Sequence, residues 1–456
     1  MTTPFSVERK RVVVVGAARS GVAAAELLVR RGAIVTLTDA RPAIDEADRL
    51  RAHGVSLALG GHADAGFSSA DLIVLSPGVS PRQADVAAAH AAGVPVIGEL
   101  ELASRWLRGR NVAITGTKGK STTTTLTGRM LDAAGYRVLV GGNIGLALSS
   151  QVDDSTDDTI HVVEASSFQL ETTDTFHPWV AVLLNFSPDH LDRHADEREY
   201  AAAKERILAN QTADDWAVIN ADDHAVLAMA AHARARKLAF SVSGAATADV
   251  TVADSTIVRR TARGAERLVP ISSIRLLGRH LIADVLAAAA VASLCGVEPA
   301  AMTRAVEGFA GLEHALEPAG KVRGVRFVND SKATNIAAAL RAIESFDDGL
   351  VVILGGKFKG GRFADLAPAL EARRATVIAI GEAAPLIEEG LSAFVPIHRA
   401  RDMADAVRTG FVLARPGDTV LLAPACASFD MFRDYAERGR VFKQEVAALR
   451  NHVGES

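Results

Sequence analysis

The sequence predicts an α/β protein of three domains, and three observations predict it. Short Val/Ile/Leu strands alternate with Ala-rich helical stretches over the first hundred residues and again from about residue 312, the signature of parallel doubly wound sheets. Between them, residues 115–122 read Thr-Gly-Thr-Lys-Gly-Lys-Ser-Thr, a phosphate-gripping loop set between an apolar run and a helical one. The chain, at 456 residues, is also too long for one ordinary core.

Composition narrows the class. The chain is 49% hydrophobic but only 5% aromatic, so its cores must rest on Ala, Val, Leu and Ile. Net charge is −4, from 50 basic and 54 acidic residues, which supplies no global field for nucleic acid or anionic lipid. Two cysteines, Cys295 and Cys426, make no disulfide framework and suit a reducing compartment. No long apolar span is expected, and the start Met1-Thr-Thr-Pro4 lacks the features of a signal peptide. The expectation is a cytoplasmic, monomeric protein with small-molecule partners.

In the first segment, strand Val12–Val15 runs into Gly16-Ala-Ala-Arg-Ser-Gly21, and strand Ile34–Leu37 ends at Asp39. This is the spacing of a dinucleotide fingerprint, with an acid placed to meet a ribose or base. Ala18 stands where a glycine lets the backbone approach pyrophosphate. A mononucleotide or nucleoside-diphosphate ligand therefore fits better than a nicotinamide cofactor, and a ligand-free βα turn is the other reading. Ser76-Pro77-Gly78-Val79 follows strand Leu72–Leu75 at the same sheet edge; alone it reads only as a turn.

The central segment holds the phosphate loop. Gly116 and Gly119 let backbone N–H groups face phosphate, Lys120 reaches the outer phosphates, and the Ser121 hydroxyl suits Mg²⁺. Strand Ile160–Val163 delivers Glu164, a carboxylate of the kind that completes a Mg²⁺–nucleotide site. Strand Val180–Leu184 leads to Asn185 and then Asp189-His190-Leu-Asp192-Arg193-His194. Mg²⁺ prefers oxygen, so His190 on its own reads as a structural histidine. Lys204, on a polar helix around Glu197–Ile207, reads as a solvated charge. Residues 240–275 read as short strands without a chemical signal, and Gly278-Arg-His280 opens an Ala-rich helix through Ser293.

In the last segment, strands Val325–Val328, Leu350–Leu354, Val377–Ile380 and Thr419–Leu422 each end in polar or glycine-rich loops. Lys332, Lys359 and Ser428 come from three of these loops. They suit a small anionic substrate, or are simply wet. The residues by themselves reach an ATP-using enzyme with an anionic acceptor.

Several stretches carry a resemblance. They are residues 115–122, Gly141-Gly-Asn-Ile-Gly145, Glu164-Ala-Ser-Ser-Phe-Gln-Leu-Glu-Thr172 and Asp189-His-Leu-Asp192. Tyr200-Ala-Ala-Ala-Lys204, Asn329-Asp-Ser-Lys-Ala-Thr-Asn335 and Pro424-Ala-Cys-Ala-Ser-Phe-Asp430 complete the set. Over essentially its whole length the chain resembles the Mur ligases of peptidoglycan synthesis, within them the D-glutamate-adding branch. The resemblance implies a Rossmann-like UDP-substrate domain over 1–106, a P-loop ATPase-type domain over 107–311 and a Rossmann-like amino-acid-binding domain over 312–456. It implies ATP-dependent ligation of D-glutamate to UDP-N-acetylmuramoyl-L-alanine through an acyl phosphate.

By the same resemblance, Gly116, Thr117, Lys118, Gly119, Lys120, Ser121, Thr122 and Asp330 hold ATP. Lys120, Glu164, His190, Lys204 and Lys332 serve the chemistry. Arg19, Ser20, Asp39, Ser76, Gly78, Asn143 and His190 take the UDP substrate, and Thr334, Lys359, Ser428 and Tyr435 take D-glutamate. Two Mg²⁺ ions are implied, the first on Ser121 and Glu164, the second on Glu164, His190 and a Lys204 carbamoylated by CO₂. The chain departs from the family pattern at Lys118, Ala40, Leu281, Asp284 and Ala315, where an Asn, a hydroxyl residue, two amides and an Arg are usual. The alternatives are a sister ligase with another amino-acid acceptor and a nucleotide-binding scaffold without turnover.

Overall fold

The computed structural model describes residues 5–190, 193–275, 281–309 and 311–454. Leu191, Asp192 and the Gly278-Arg-His280 stretch lie outside them. Among the described residues no helix is long and apolar enough to cross a membrane.

The first sheet contains β1 (Arg11–Val15), β2 (Ile34–Asp39), β3 (Ser56–Leu59), β4 (Leu72–Leu75) and β5 (Val96–Gly98), all parallel, in the order β3-β2-β1-β4-β5. Val12 to Val15 are at most 3% exposed, because helices cover both faces and the strand must be apolar throughout. Chain direction across the sheet reverses between β1 and β4, and a crevice opens there beyond the strand ends. Gly16 fills that corner with φ +93°, and a Cβ on it would sit 2.8 Å from Val79 Cγ2. The turn after β1 and the loop after β4 therefore touch, and Gly16 tolerates no side chain.

The second sheet contains β6 (Arg110–Thr115), β7 (Arg137–Gly142), β8 (Thr159–Glu164), β9 (Val180–Leu183), β10 (Trp216–Asn220), β11 (Arg236–Ser241), β12 (Val250–Ala253), β13 (Thr256–Thr261) and β14 (Gly264–Pro270). Their order is β14-β13-β12-β11-β10-β9-β6-β8-β7. The phosphate loop leaves β6 between β9 and β8. Ile114 pairs in register with Glu164 on one side and Val182 on the other. Register alone thus sets Glu164 and the residues after β9 on the two flanks of the loop. Strands β12–β14 form an antiparallel meander, matching the short strands read over 240–275. Both sheets belong to one compact unit, residues 1–274 with 282–308. Its helix Leu281–Leu294 is buried from Asp284 to Ala292, which the run of alanines permits.

The other unit covers residues 275–281 and 309–456. Its sheet holds β15 (Glu317–Val322), β16 (Val325–Asn329), β17 (Leu350–Gly355), β18 (Thr376–Ile380), β19 (Ile397–Arg399) and β20 (Thr419–Leu422), in the order β15-β16-β20-β17-β18-β19. Only β15 runs antiparallel to its neighbour. The loops after β16, β20 and β17 therefore leave one edge side by side.

Candidate active site

The phosphate loop is held by its neighbours before any ligand arrives. Asn185, just past β9, accepts from the backbone N–H of Thr117 at 3.1 Å and of Lys118 at 2.8 Å through Oδ1, and donates from Nδ2 to the Lys118 carbonyl at 3.1 Å. The N–H groups of Thr117 and Lys118 thus face an amide instead of open space. The donors left for phosphate are those of the first turn of helix Lys120–Asp132, which a helix cannot satisfy internally. Gly119 caps that helix at φ +79°, and a Cβ there would lie 2.0 Å from Asp284 Oδ1. Asp284 is 4% exposed, and burial pushes its carboxyl well above the usual range. Burial thus favours its protonated form against the loop, where an ionised carboxylate would oppose phosphate.

Three lysines meet this loop with different fates. Lys120 folds back, donating to the carbonyls of Gly116 at 3.0 Å and Thr117 at 3.1 Å. Lys118 pairs with Asp189 at 3.0 Å, which ties the loop to the segment carrying His190. Lys204 corrects the reading of a solvated charge. Helix Glu197–Glu205 buries it to 1% exposure, its Nζ donates to the Gly116 carbonyl at 2.8 Å, and it lies 4.4 Å from the Tyr200 ring centre. Burial, with the Lys120 charge adding to it, lowers its pKa from 10.5 to about 6. At neutral pH it is a free amine, the form that reacts with CO₂.

Glu164 ends β8 with 1% exposure. One carboxylate oxygen accepts from Asn143 Nδ2 at 2.8 Å, and the other is buried with no hydrogen-bond partner. An orphaned carboxylate oxygen beside a phosphate loop fits a hard divalent cation, with Ser121 in the facing first turn of the helix. Among the described residues no group of three His, Cys, Asp or Glu could hold a metal alone. His190 is exposed at φ +56°, edge-on to Phe168 at 4.9 Å and 6.0 Å from Tyr200.

A cavity of about 180 Å³ opens where the first two sheets meet, lined in part by Arg19, Ser20, Ser76, Gly78 and Asn143. Five of the seven residues expected on the UDP-substrate path therefore share one wall. Asp39 and His190 are not in the lining. Asp39 accepts from the Ala17 N–H at 2.7 Å and pairs with Arg41, whose guanidinium holds the carboxyl well below its usual range. It braces the turn after β1. Gln169 also lines the cavity, 2% exposed, with Oε1 taken by Ser166 and an unpartnered Nε2. Sequence reasoning gave Gln169 and Asn185 no role in the site and marked Asp284 only as a departure from the family pattern. An amide three positions past a capping serine was the available signal for the first.

In the other unit, Asp330 is 9% exposed and burial raises its pKa to about 7. Lys332 and Lys359 are exposed, Thr334 half-buried, Ser428 buried and Tyr435 40% exposed. Arg438, 2% exposed, binds these loops together: it donates to the Ser331 hydroxyl at 2.9 Å, the Ser331 carbonyl at 2.9 Å and the Cys426 carbonyl at 3.1 Å.

Doubly wound sheets around a clamped phosphate loop, with an orphaned carboxylate and a neutral lysine beside it, define an α/β P-loop enzyme. Family models match three stretches: the Mur ligase MurD-like N-terminal domain over 10–98, the Mur ligase middle domain over 114–292 and the Mur ligase glutamate ligase domain over 316–426. The chain is 47% identical to the UDP-N-acetylmuramoylalanine--D-glutamate ligase of Acidobacterium capsulatum, covering 97% of each, and 46% identical to that of Solibacter usitatus, covering 96% of this chain and 98% of the relative. Solved structures share the fold: the UDP-N-acetylmuramate-alanine ligase of Thermotoga maritima (18% identity, 97% of this chain, 100% of that one, TM-score 0.59) and the Thermotoga maritima MurF ligase in complex with ADP (16%, 97%, 96%, 0.60). The chain belongs to the Mur ligase family, whose members form amide bonds at the expense of ATP.

Proposed function

We infer that the chain ligates D-glutamate to UDP-N-acetylmuramoyl-L-alanine with ATP. The observation that carries this is identity of 43–47% over nearly the whole chain to proteins of that name. The alanyl carboxylate attacks the γ-phosphorus of ATP, ADP leaves, and an acyl phosphate forms. The D-glutamate amine then attacks the acyl carbon, losing a proton, and phosphate departs from the tetrahedral intermediate to leave the amide.

The residues supply binding, orientation and charge. Lys120, resting on its own loop's carbonyls, is poised to swing onto the nucleotide phosphates and screen the carboxylate's approach. Asn143 holds Glu164 in place, and Asn185 keeps the loop in shape. The Lys204 amine adds to CO₂, forming an N–C bond and releasing a proton, and becomes an anionic carbamate. Ser121 and Glu164 would hold one Mg²⁺, and Glu164, His190 and carbamoylated Lys204 would hold another. Bound there, Mg²⁺ would neutralise charge on the reacting phosphate. Arg19, Ser20, Ser76, Gly78 and Asn143 take the UDP sugar. Asp330 and Lys332 serve ATP, and Thr334, Lys359, Ser428 and Tyr435 hold D-glutamate. Purified protein given the UDP substrate, ATP and Mg²⁺ should release phosphate with D-glutamate and not with L-glutamate. Equal release with either, or with none, removes the reading.

A further inference from the structure

Arg193 touches three of the motif stretches at once. It follows the segment that carries His190, and its Nη1 donates to the Gly78 carbonyl at 3.3 Å while Nη2 donates to the Val79 carbonyl at 2.9 Å. Gly78 lines the cavity where the first two sheets meet. Nη2 also pairs with Glu171, and both side chains are only 15% exposed. The guanidinium lies 4.7 Å from the centre of the Phe168 ring, and Phe168 packs against both His190 and His194. Through its main chain, Arg193 also donates to the His190 carbonyl at 3.0 Å, and His190 has a left-handed φ of +56°. Two successive carbonyls, a carboxylate and a ring face suit a planar fork, and an ammonium cannot meet them together.

We propose that Arg193 is a positioning residue that links the loop 76–79 to His190, so that filling the cavity with the UDP sugar and setting the imidazole are one event. This deepens the ligase reading and rests on it. Without the guanidinium, the carbonyls of Gly78 and Val79 turn to water, and the Phe168 ring that packs edge-on against His190 loses the cation on its face.

The test uses the full chain with Arg193→Ala, Arg193→Lys, and Arg193→Ala in a His190→Ala background. UDP-sugar binding is measured by calorimetry without ATP, and turnover by phosphate release. Arg193→Ala should weaken UDP-sugar binding and lower kcat, each by about tenfold, with KM for ATP within about twofold. Arg193→Lys should recover little of either. In the His190→Ala background the kcat loss from Arg193→Ala should vanish, since the residue acts through that imidazole. Full recovery by lysine, an undiminished kcat loss in the His190→Ala background, or a lower Tm with binding and kcat intact would each overturn the proposal. An unaltered chain that binds no UDP sugar removes the ligase reading and this inference with it; normal binding by the variants removes the inference alone.

Discussion

Lys204 in the first unit is 1% exposed, bonded to the Gly116 carbonyl and lowered to a pKa of about 6, whereas Lys332 and Lys359 in the second stand exposed on loops after β16 and β17. Burial makes Lys204 a neutral nucleophile, while Lys332 and Lys359 stay in water. The loops beneath them differ in the same way. Around Lys204 the phosphate loop is clamped by Asn185 from outside the loop. Around Lys332, Arg438 ties the loops after β16 and β20 together through Ser331 and Cys426, while the Lys332 side chain stays exposed. On the proposed reading, the buried region would hold the atom that the chemistry needs fixed, and the exposed one would meet an incoming anion.

The comparison breaks most easily at Lys204. Lys204→Met should lower turnover by about a thousandfold or more while UDP-sugar binding holds within about threefold, measured by phosphate release and calorimetry. Glu164→Gln follows, with turnover down by about a hundredfold or more, because the orphaned oxygen loses its charge. Lys359→Ala, on the exposed side, should raise KM for D-glutamate about tenfold and leave KM for ATP unchanged, as steady-state kinetics would show.

Stability sharpens the same contrast. The folded Lys204 pKa of about 6 lies below its ordinary 10.5, so between those values the unfolded chain carries a proton that the folded chain lacks. The destabilisation is therefore complete at and below about pH 6 and fades as pH rises towards 10.5. In CO₂-free buffer, Lys204→Met should raise Tm, and by more at pH 6.5 than at pH 9.5. A gain independent of pH would mean that the amine keeps its charge. The smallest effect belongs to Lys118→Asn. Its pair with Asp189 is about one-third exposed on both sides, so Tm should fall by no more than a change of about 1 kcal/mol implies.

The sheets were legible in the sequence because strands such as Val12–Val15 are apolar on both faces and each ends in its own loop signal. The phosphate loop was legible because its glycines and Lys120 are adjacent in the chain. Lys204 was not: its environment comes from Tyr200 four residues before it and from Gly116, 88 residues away. Asn185 escaped for the same reason, its partners lying 67 and 68 residues earlier. Asp39 has a partner that is near in the chain, Arg41 two residues on, so its ion pair could be read locally.

The most direct test of the buried-lysine claim is a ¹³C NMR spectrum of the protein in ¹³C-bicarbonate, beside that of Lys204→Met. The account predicts a carbamate carbonyl signal in the unaltered protein, lost in the variant, with turnover following its intensity as bicarbonate is varied. An active protein without that signal, or with the same signal in the variant, would contradict it.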